Sequence, residues 1–229
     1  MTISTQSSTT LNKSFLRRIL QAFIDIRELT LIVLITAIII VMSNINPYFF
    51  SFPNFRAVMV GMAPNAIIVI GMAILLASGG FDLSVGSVMA LSSTVVAMLL
   101  LSGMPIFLAV ICSLILGGVV GVGNGVLVTN LGINPLIATL GTMSIARGIA
   151  LVLTEGFSVS SLPLSFSWIG KTNFGGFPAI VIMTIAIVIF FDLAVRHTRF
   201  FRQVYFIGAN EKAAVLSGIH VARVRIVLY

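Results

Sequence analysis

The sequence predicts an all-α, polytopic membrane protein with six transmembrane helices and one short additional helix. Apolar residues make up 59% of the 229-residue chain, charged residues make up 8%, and the mean hydropathy is +1.17. Soluble domains have roughly 45–50% apolar and about 25% charged residues. Several apolar runs are long enough to cross a hydrocarbon core of about 30 Å, at about 1.5 Å of helix per residue. A soluble protein of this composition would lack the polar groups needed to cover its surface.

The predicted spans follow the apolar runs, and they end where glycine, proline and polar residues cluster. The spans are 29–50, 58–78, 83–101, 105–128, 135–153 and 177–195. The segments 154–176 and 196–225 are the two long connections. The chain therefore divides into a basic N-terminal segment (1–28), a transmembrane domain (29–195), an inner loop (196–225) and the start of a further membrane helix (226–229).

The distribution of basic residues predicts the orientation of the spans. If the N-terminus is cytoplasmic and the spans alternate, most of the charge lies inside, as the positive-inside rule requires. The inner residues are Lys13, Arg17, Arg18, Arg27, Arg196, Arg199, Arg202, Lys212, Arg223 and Arg225. Only Arg56 and Lys171 lie outside, and Arg147 lies within the fifth span. The rule explains the net charge of +7 better than a nucleic-acid partner does.

The stretch G-G-F-D-L-S-V-G-S, at 79–87, places the carboxylate of Asp82 between two apolar runs. A carboxylate at membrane depth is costly unless it is hydrogen-bonded, paired or facing water. The neighbouring glycines allow the backbone to leave helical geometry. Two interpretations follow. Asp82 and Ser84 cap the start of the third span, or they belong to a broken helix that lines a path through the membrane.

The fourth span carries glycines spaced four residues apart, at Gly117, Gly121 and Gly125. This spacing places small residues on one helix face and predicts a seam for close packing against another helix. Asn124 stands beside the seam. Its amide is interpreted either as an interhelical hydrogen-bonding group or as a polar group that lines a pore.

Three polar residues of the fifth span also have two interpretations. Arg147 lies six residues from the outer end of the span. It either extends to the interface or forms a packing ion pair, or it binds a solute in an outer vestibule. Thr139 and Thr142 either bond within their own helix or line the same path.

The sequence shows no pattern typical of an enzyme. The spans lack the clustered His, Asp and Glu residues that a membrane-embedded enzyme would need, and His197 and His220 are too isolated for a metal site. S-F-S-W-I-G-K-T, at 165–172, ends like a phosphate loop, but serine replaces its first glycine and no strand precedes it. We therefore expect no catalytic residue, no metal and no bound cofactor.

The inner loop contains the signals of a helix of about two turns. Asn210 is a favourable N-cap, and Glu211 then lies at the first helical position, where a negative charge suits the helix dipole. Ala213 and Ala214 carry the helix, and Gly218 can end it in a left-handed turn. Isolated helices this short are unstable in water, so the sequence predicts a docking partner that receives a small alanine face. The alternative is an amphipathic loop on anionic lipid.

Four stretches, in order, resemble the permease subunits of monosaccharide ABC importers such as the ribose, galactose, arabinose, xylose and autoinducer-2 systems. They are G-G-F-D-L-S-V-G-S (79–87), N-P-L-I-A-T-L-G-T-M-S-I-A-R-G (134–148), R-H-T-R-F-F-R-Q-V-Y-F-I-G-A-N-E-K-A-A (196–214) and L-S-G-I-H-V-A-R-V-R-I (216–226). The resemblance covers about 46–229. Phe201 and Ala209 replace glycines of the family pattern.

The resemblance implies a transport subunit of the bacterial inner membrane without catalytic activity. Its implied partners are a second permease copy, a periplasmic sugar-binding protein and a cytoplasmic subunit that binds the ATP. The inner loop would be the coupling loop, and its coupling residues would be Gly208, Asn210, Glu211, Ala213, Ala214 and Gly218. The substrate path would include Asp82, Ser84, Asn124, Thr139, Thr142 and Arg147.

The resemblance also implies several further membrane helices beyond Tyr229, so the chain is expected to be a C-terminally truncated form that does not transport alone. A branched-chain amino acid permease of a related ABC class is the nearest alternative. An ion-coupled secondary transporter is less compatible with the sequence. It would need paired charges within the membrane, and apart from Asp82 only Asp192 lies within a predicted span.

Overall fold

The structure is a computed structural model that describes the backbone of residues 27–229 and the side chains of residues 29–167 and 170–229. The basic segment predicted at 1–28 therefore lies almost wholly outside the described residues. The chain divides into two compact units, residues 1–57 and 58–229. Within the described range the fold is helical apart from one two-stranded hairpin. The predicted all-α class is confirmed.

The helices follow the predicted spans closely. In chain order they are α1 (Arg27–Ile45), α2 (Phe52–Ala77), α3 (Val85–Leu101), α4 (Ile106–Thr129), α5 (Pro135–Leu153), α6 (Trp168–Lys171), α7 (Ala179–His197), α8 (Arg199–Ala209), α9 (Glu211–Leu216) and α10 (Val221–Leu228). Strands β1 (Asn173–Phe174) and β2 (Phe177–Pro178) pair antiparallel between α6 and α7.

Four of these helices, α2, α4, α5 and α7, are long and apolar enough to cross a membrane. Helix α3 is apolar but shorter, and the part of α1 from Leu29 to Ile45 is a further apolar stretch. Large apolar side chains are exposed along the helices, for example Phe107, Leu114 and Val152. Such surfaces are stable against lipid rather than water. The protein is thus a polytopic membrane protein, and the count of six spans stays a prediction.

In the first unit, α1 ends five residues before the predicted end of the first span. Pro47 is the reason, because the residue before a proline disfavours helical geometry. The Asn46 side chain then accepts a hydrogen bond from the Tyr48 N–H at 2.9 Å. The Asn54 amide donates to the Phe49 carbonyl at 2.8 Å, which closes the turn where α2 begins.

In the second unit, α3, α4 and α5 pack together around small and branched side chains. Leu91, Ala146 and Ala150 form a buried cluster between α3 and α5. The alanines let the two helix backbones approach, as small residues do in membrane bundles. The Ser113 hydroxyl of α4 donates to the Ser92 carbonyl of α3 at 2.9 Å. These three helices position the polar residues of the site.

The predicted inner loop is more ordered than expected, because it contains three helices rather than one. Helices α8, α9 and α10 share a core, which consists of Val204, Ile207, Ala214, Val221 and Val224. Ile74 and Ala77, from the last turn of α2, pack against this core. The predicted boundary between residues 225 and 226 falls inside α10. We call α8, α9 and α10 the inner helical unit.

Both predicted caps of the short helix α9 are confirmed. The Asn210 side chain accepts a hydrogen bond from the Ala213 N–H at 3.0 Å, and the helix begins at Glu211. At the other end Gly218 has φ +81°, and the Ile219 N–H reaches back to the Ala214 carbonyl at 3.0 Å. This is the Schellman geometry that glycine favours.

Candidate functional site

The site begins where α2 stops, at the paired glycines before Asp82. Gly79 has φ +78°, and its N–H donates to the Leu76 carbonyl at 2.9 Å. The Gly80 N–H donates to the Leu75 carbonyl at 3.1 Å, which completes a Schellman motif. A Cβ at Gly80 would lie 2.5 Å from the Leu75 side chain, so a larger residue there would require Leu75 to move. The glycines therefore end α2 sharply, and the chain turns so that Asp82 lies in the interior.

Asp82 is buried, and its Oδ1 accepts two hydrogen bonds from Ser84. The Ser84 N–H and the Ser84 hydroxyl both donate at 2.6 Å. The predicted helix cap needs correction, because α3 begins at Val85 and the bonded N–H belongs to the N-cap residue rather than to the first turn. Ser84 makes no side-chain cap either, since its hydroxyl is directed to Asp82.

The hydrogen bonds continue from Asp82 across two further helices. The Asn124 amide of α4 donates to the Ser84 hydroxyl oxygen at 2.9 Å. The Thr142 hydroxyl of α5 donates to the Asn124 Oδ1 at 2.5 Å. Asn124 is only 1% exposed. We call Asp82, Ser84, Asn124 and Thr142 the polar network.

The polar network lies between two cavities. One, of about 260 Å³, is lined by Asp82 and Ser84 together with α3, the glycine seam and Tyr229. The other, of about 230 Å³, is lined by Asn124 and Thr142 and otherwise by apolar side chains of α3, α4 and α5. Asn124 therefore forms the interhelical hydrogen bonds of the first interpretation, and it also lines a cavity, while a role in lining a pore stays a prediction.

Thr139 and Arg147 lie apart from the polar network. The Thr139 hydroxyl is buried and donates to the Pro135 carbonyl of its own helix at 2.8 Å. Among the described residues, no hydrogen bond joins Arg147 to the network. Arg147 lines a separate cavity of about 430 Å³, whose wall includes hydroxyl groups of Ser93, Thr154 and Ser158.

The glycine seam faces two different neighbours. A Cβ at Gly125 would lie 2.8 Å from the Ile226 Cα, and a Cβ at Gly121 would overlap the Tyr229 carbonyl. Both glycines therefore face α10 and the residue after it. A Cβ at Gly117 would instead lie 3.6 Å from the Ser92 hydroxyl of α3. A side chain larger than hydrogen would therefore clash at Gly121 and Gly125, whereas Gly117 has room for one.

Two of the predicted coupling residues are engaged within the chain itself. Ala214 is 3% exposed and belongs to the core of the inner helical unit, so the structure does not agree with its predicted entry into a partner's cleft. Gly208 packs directly on the Ala77 carbonyl of α2, where a Cβ would overlap it. The exposed large apolar residues of α9 are instead Val215 and Leu216, and Leu216 is 89% exposed.

Sequence reasoning missed the role of Arg225 and Tyr229. The Arg225 Nη2 donates to the Ser78 carbonyl at 3.1 Å and to the Glu211 Oε2 at 2.9 Å. The Tyr229 hydroxyl donates to the Phe81 carbonyl at 3.2 Å. One signal was available. Arg225 follows the buried Val221 by four positions, and residues so spaced share a helix face. Once α10 is recognised as a helix, this spacing predicts that Arg225 lies on its buried face.

No group of three or more His, Cys, Asp or Glu side chains is positioned to hold a metal ion in the described part of the chain. The site is instead a set of hydrogen-bonding groups buried between apolar helices. Such an arrangement is typical of membrane proteins that pass or bind a polar solute. The class is therefore a polytopic helical membrane protein with a polar site at the junction of its spans.

Comparison with known proteins identifies the family. Residues 54–229 match the family described as the permease component of the branched-chain amino acid transport system, and the chain belongs to this family. No solved structure shows a significant match.

Several curated relatives are sugar permeases by name. The chain is 41% identical to the ribose import permease protein RbsC of Bacillus subtilis, over 84% of this chain and 60% of that protein. It is 35% identical to the L-arabinose transport system permease protein AraH of Escherichia coli, over 80% and 56%. The D-allose transport system permease protein AlsC of Escherichia coli is 33% identical, over 82% and 58%. The chain thus spans less than two thirds of these relatives.

Proposed function

We propose that this chain forms the transmembrane part of an ATP-driven importer that moves a monosaccharide or a similar small polyol into the bacterial cytoplasm. The observation that carries the proposal is the similarity to three permeases whose names specify ribose, L-arabinose and D-allose. The protein then lies in the inner membrane with its N-terminus in the cytoplasm. It conducts its solute without covalent chemistry.

The chemistry of the polar network supports a neutral, hydroxyl-rich solute. Its two hydroxyls and its amide can donate and accept hydrogen bonds, and its carboxylate accepts them, so the set is suited to sugar hydroxyls. A branched-chain amino acid is a zwitterion, and its carboxylate favours a cationic partner. None of the four side chains of the polar network is basic, so the network itself offers no cationic partner to such a carboxylate. We therefore favour the sugar over the amino acid that the family description names.

The Arg147 cavity supplies a second polar surface, on the predicted outer side. An arginine at this depth is stable when its guanidinium reaches water or a polar ligand. Its planar donors suit oxygen atoms arranged in pairs, such as adjacent sugar hydroxyls. We propose that the solute contacts Arg147 before it reaches the polar network. Thr139 lies on the same helix and supports the path indirectly, because its bond to Pro135 steadies the start of α5.

The inner helical unit is the proposed contact surface for the subunit that binds ATP. Val215 and Leu216 are adjacent exposed apolar side chains of α9, and we propose that a partner covers them. Asn210 and Gly218 hold α9 in shape, and Ala213 lies exposed beside Leu216. The remaining proposed partners are a periplasmic sugar-binding protein and a second permease copy. ATP is bound outside this chain.

Transport by the complete gene product that contains these residues tests the proposal. It is reconstituted in proteoliposomes with the ATP-binding and solute-binding proteins encoded beside it. We expect ATP-dependent uptake of a radiolabelled pentose or hexose and no uptake of leucine. Arg147→Gln should raise the KM for uptake, whereas Lys171→Gln, a basic residue on the same predicted side, should leave it unchanged. Leucine uptake, or sugar uptake driven by an ion gradient without ATP, would contradict the proposal.

A further inference from the structure

Arg225 joins two segments that are far apart in the sequence. Its Nη2 donates both to the Glu211 carboxylate of α9 and to the Ser78 carbonyl at the end of α2. The Arg225 side chain is 19% exposed, whereas the Glu211 side chain is 52% exposed. The Nη2 atom of a mostly buried cation thus connects the exposed start of α9 to the buried C-terminal end of α2.

The Ser78 carbonyl is a favourable site for this cation. Ser78 follows the last residue of α2, and the last carbonyls of a helix lack intrahelical partners and carry partial negative charge. The Gly79 backbone turns away in the left-handed conformation, and a Cβ there would lie 3.6 Å from the Arg225 Nη2. The guanidinium therefore lies beside Gly79 at ordinary contact distance.

The loop of residues 78–81 is held at both ends by the same helix face. Arg225 and Tyr229 are four residues apart, and Tyr229 bonds to Phe81 through both its hydroxyl oxygen and its hydroxyl proton. Asp82, the first member of the polar network, is the next residue. If α10 moves, the loop 78–81 that it holds must therefore move with it. Asp82 directly follows this loop, so the movement is passed on to the polar network.

The grip of Arg225 on Ser78 depends on Glu211. A mostly buried cation needs a counter-charge, and Glu211 is the carboxylate that pairs with it among the described residues. The Arg225 Nε is buried and has no hydrogen-bond partner within that part of the chain. The guanidinium is thus incompletely satisfied where it stands, and the loss of Glu211 favours its movement toward water.

We infer that Arg225 is a positioning residue that transmits the state of α9 to the loop 78–81 and so to the polar network. A partner that docks on α9 and takes up the Glu211 carboxylate releases Arg225 from Ser78, and the loop loosens. A partner that leaves Glu211 free keeps the loop closed. The identity of the partner rests on the proposed function. The link from Glu211 through Arg225 to Ser78 does not.

Hydrogen–deuterium exchange of the chain in nanodiscs tests the link without any partner. The informative amides are those of Gly79, Gly80 and Ser84, whose hydrogen bonds define the loop. We expect Arg225→Gln to raise their exchange about tenfold, the loss expected for one charge-assisted hydrogen bond. Glu211→Ala should raise it several-fold. Two matched controls, Lys212→Ala on α9 and Arg223→Gln on α10, should leave it unchanged.

Transport measurements then separate transmission from simple docking. In the complete transporter, Arg225→Gln should retain the ATP-binding subunit on co-purification while ATP hydrolysis no longer drives uptake. Unchanged loop exchange in Glu211→Ala would overturn the inference and leave the proposed function standing. Loss of the ATP-binding subunit from Arg225→Gln would also overturn it, because Arg225 would then only hold the docking surface. Failure of the wild type to bind an ATP-binding subunit would contradict the proposed function and not the exchange result.

Discussion

Truncation of Asn124 to alanine should lower the free energy of unfolding by about 2 kcal/mol. The Asn124 amide makes two interhelical hydrogen bonds, to Ser84 and to Thr142. Such bonds contribute on average about 0.6 kcal/mol each in a membrane bundle, so the pair contributes about 1.2 kcal/mol. The side chain is 1% exposed. Poorer packing around the resulting small cavity adds roughly 1 kcal/mol to the destabilisation.

The assay is a graded SDS titration of the chain in mixed micelles, followed by helical circular dichroism. A double-mutant cycle with Thr142→Val isolates the bond between the two side chains, and we expect a coupling free energy of about 0.5–1.7 kcal/mol. Asn130→Ala is the control, because Asn130 is exposed at the end of the same helix and should change stability by less than about 0.5 kcal/mol. Strict additivity in the cycle, or an equal loss in the control, would refute the assigned network.

Two other predictions follow from the packing and from the charge distribution. Gly125→Ala should destabilise the chain by about 1–3 kcal/mol in the same titration, because its Cβ would lie 2.8 Å from the Ile226 Cα. Gly117→Ala has room and should be neutral within about 0.5 kcal/mol. A similar loss from both substitutions would contradict the geometry of the seam. Alkaline phosphatase fused after Ser102 should be active and after Lys212 inactive, as the positive-inside rule predicts, and the reverse pattern would invert the topology.

The helix ends were predictable where the sequence carries local punctuation. The fifth span was predicted at 135–153, and α5 runs Pro135–Leu153. The Asn134 side chain caps this helix and Pro135 is its first residue, so two adjacent residues specify where the helix begins. The start of α2 was placed six residues late, because residues 51–57, which contain Arg56, were interpreted as the connection between the first two spans. The sequence thus predicts a helix boundary well where a capping side chain stands next to a residue whose backbone favours the first turn.

The inner helical unit was largely missed because its stability is not local. The arginines of α8 and α10 contribute to the charge count, and counting charges conceals that Val204, Ile207, Val221 and Val224 share one apolar core. Arg225 was likewise counted only as an inner charge. Its partner Ser78 is 147 residues away, and no spacing rule along the chain connects residues so distant. The glycines were identified, but which helix each one contacts depends on the tertiary arrangement.

The long separation between Ser78 and Arg225 also has a consequence for biosynthesis. Ser78 leaves the ribosome 147 residues before Arg225, so at about 5–20 residues per second the loop waits roughly 7–30 s for its partner. During this interval α3 to α9 are made, while the Ser78 carbonyl, and later the face of α4 at Gly121 and Gly125, remain uncovered by α10. Nascent chains that stop before α10 keep both features exposed. They therefore expose a backbone carbonyl and a glycine face that α10 covers in the longer chain.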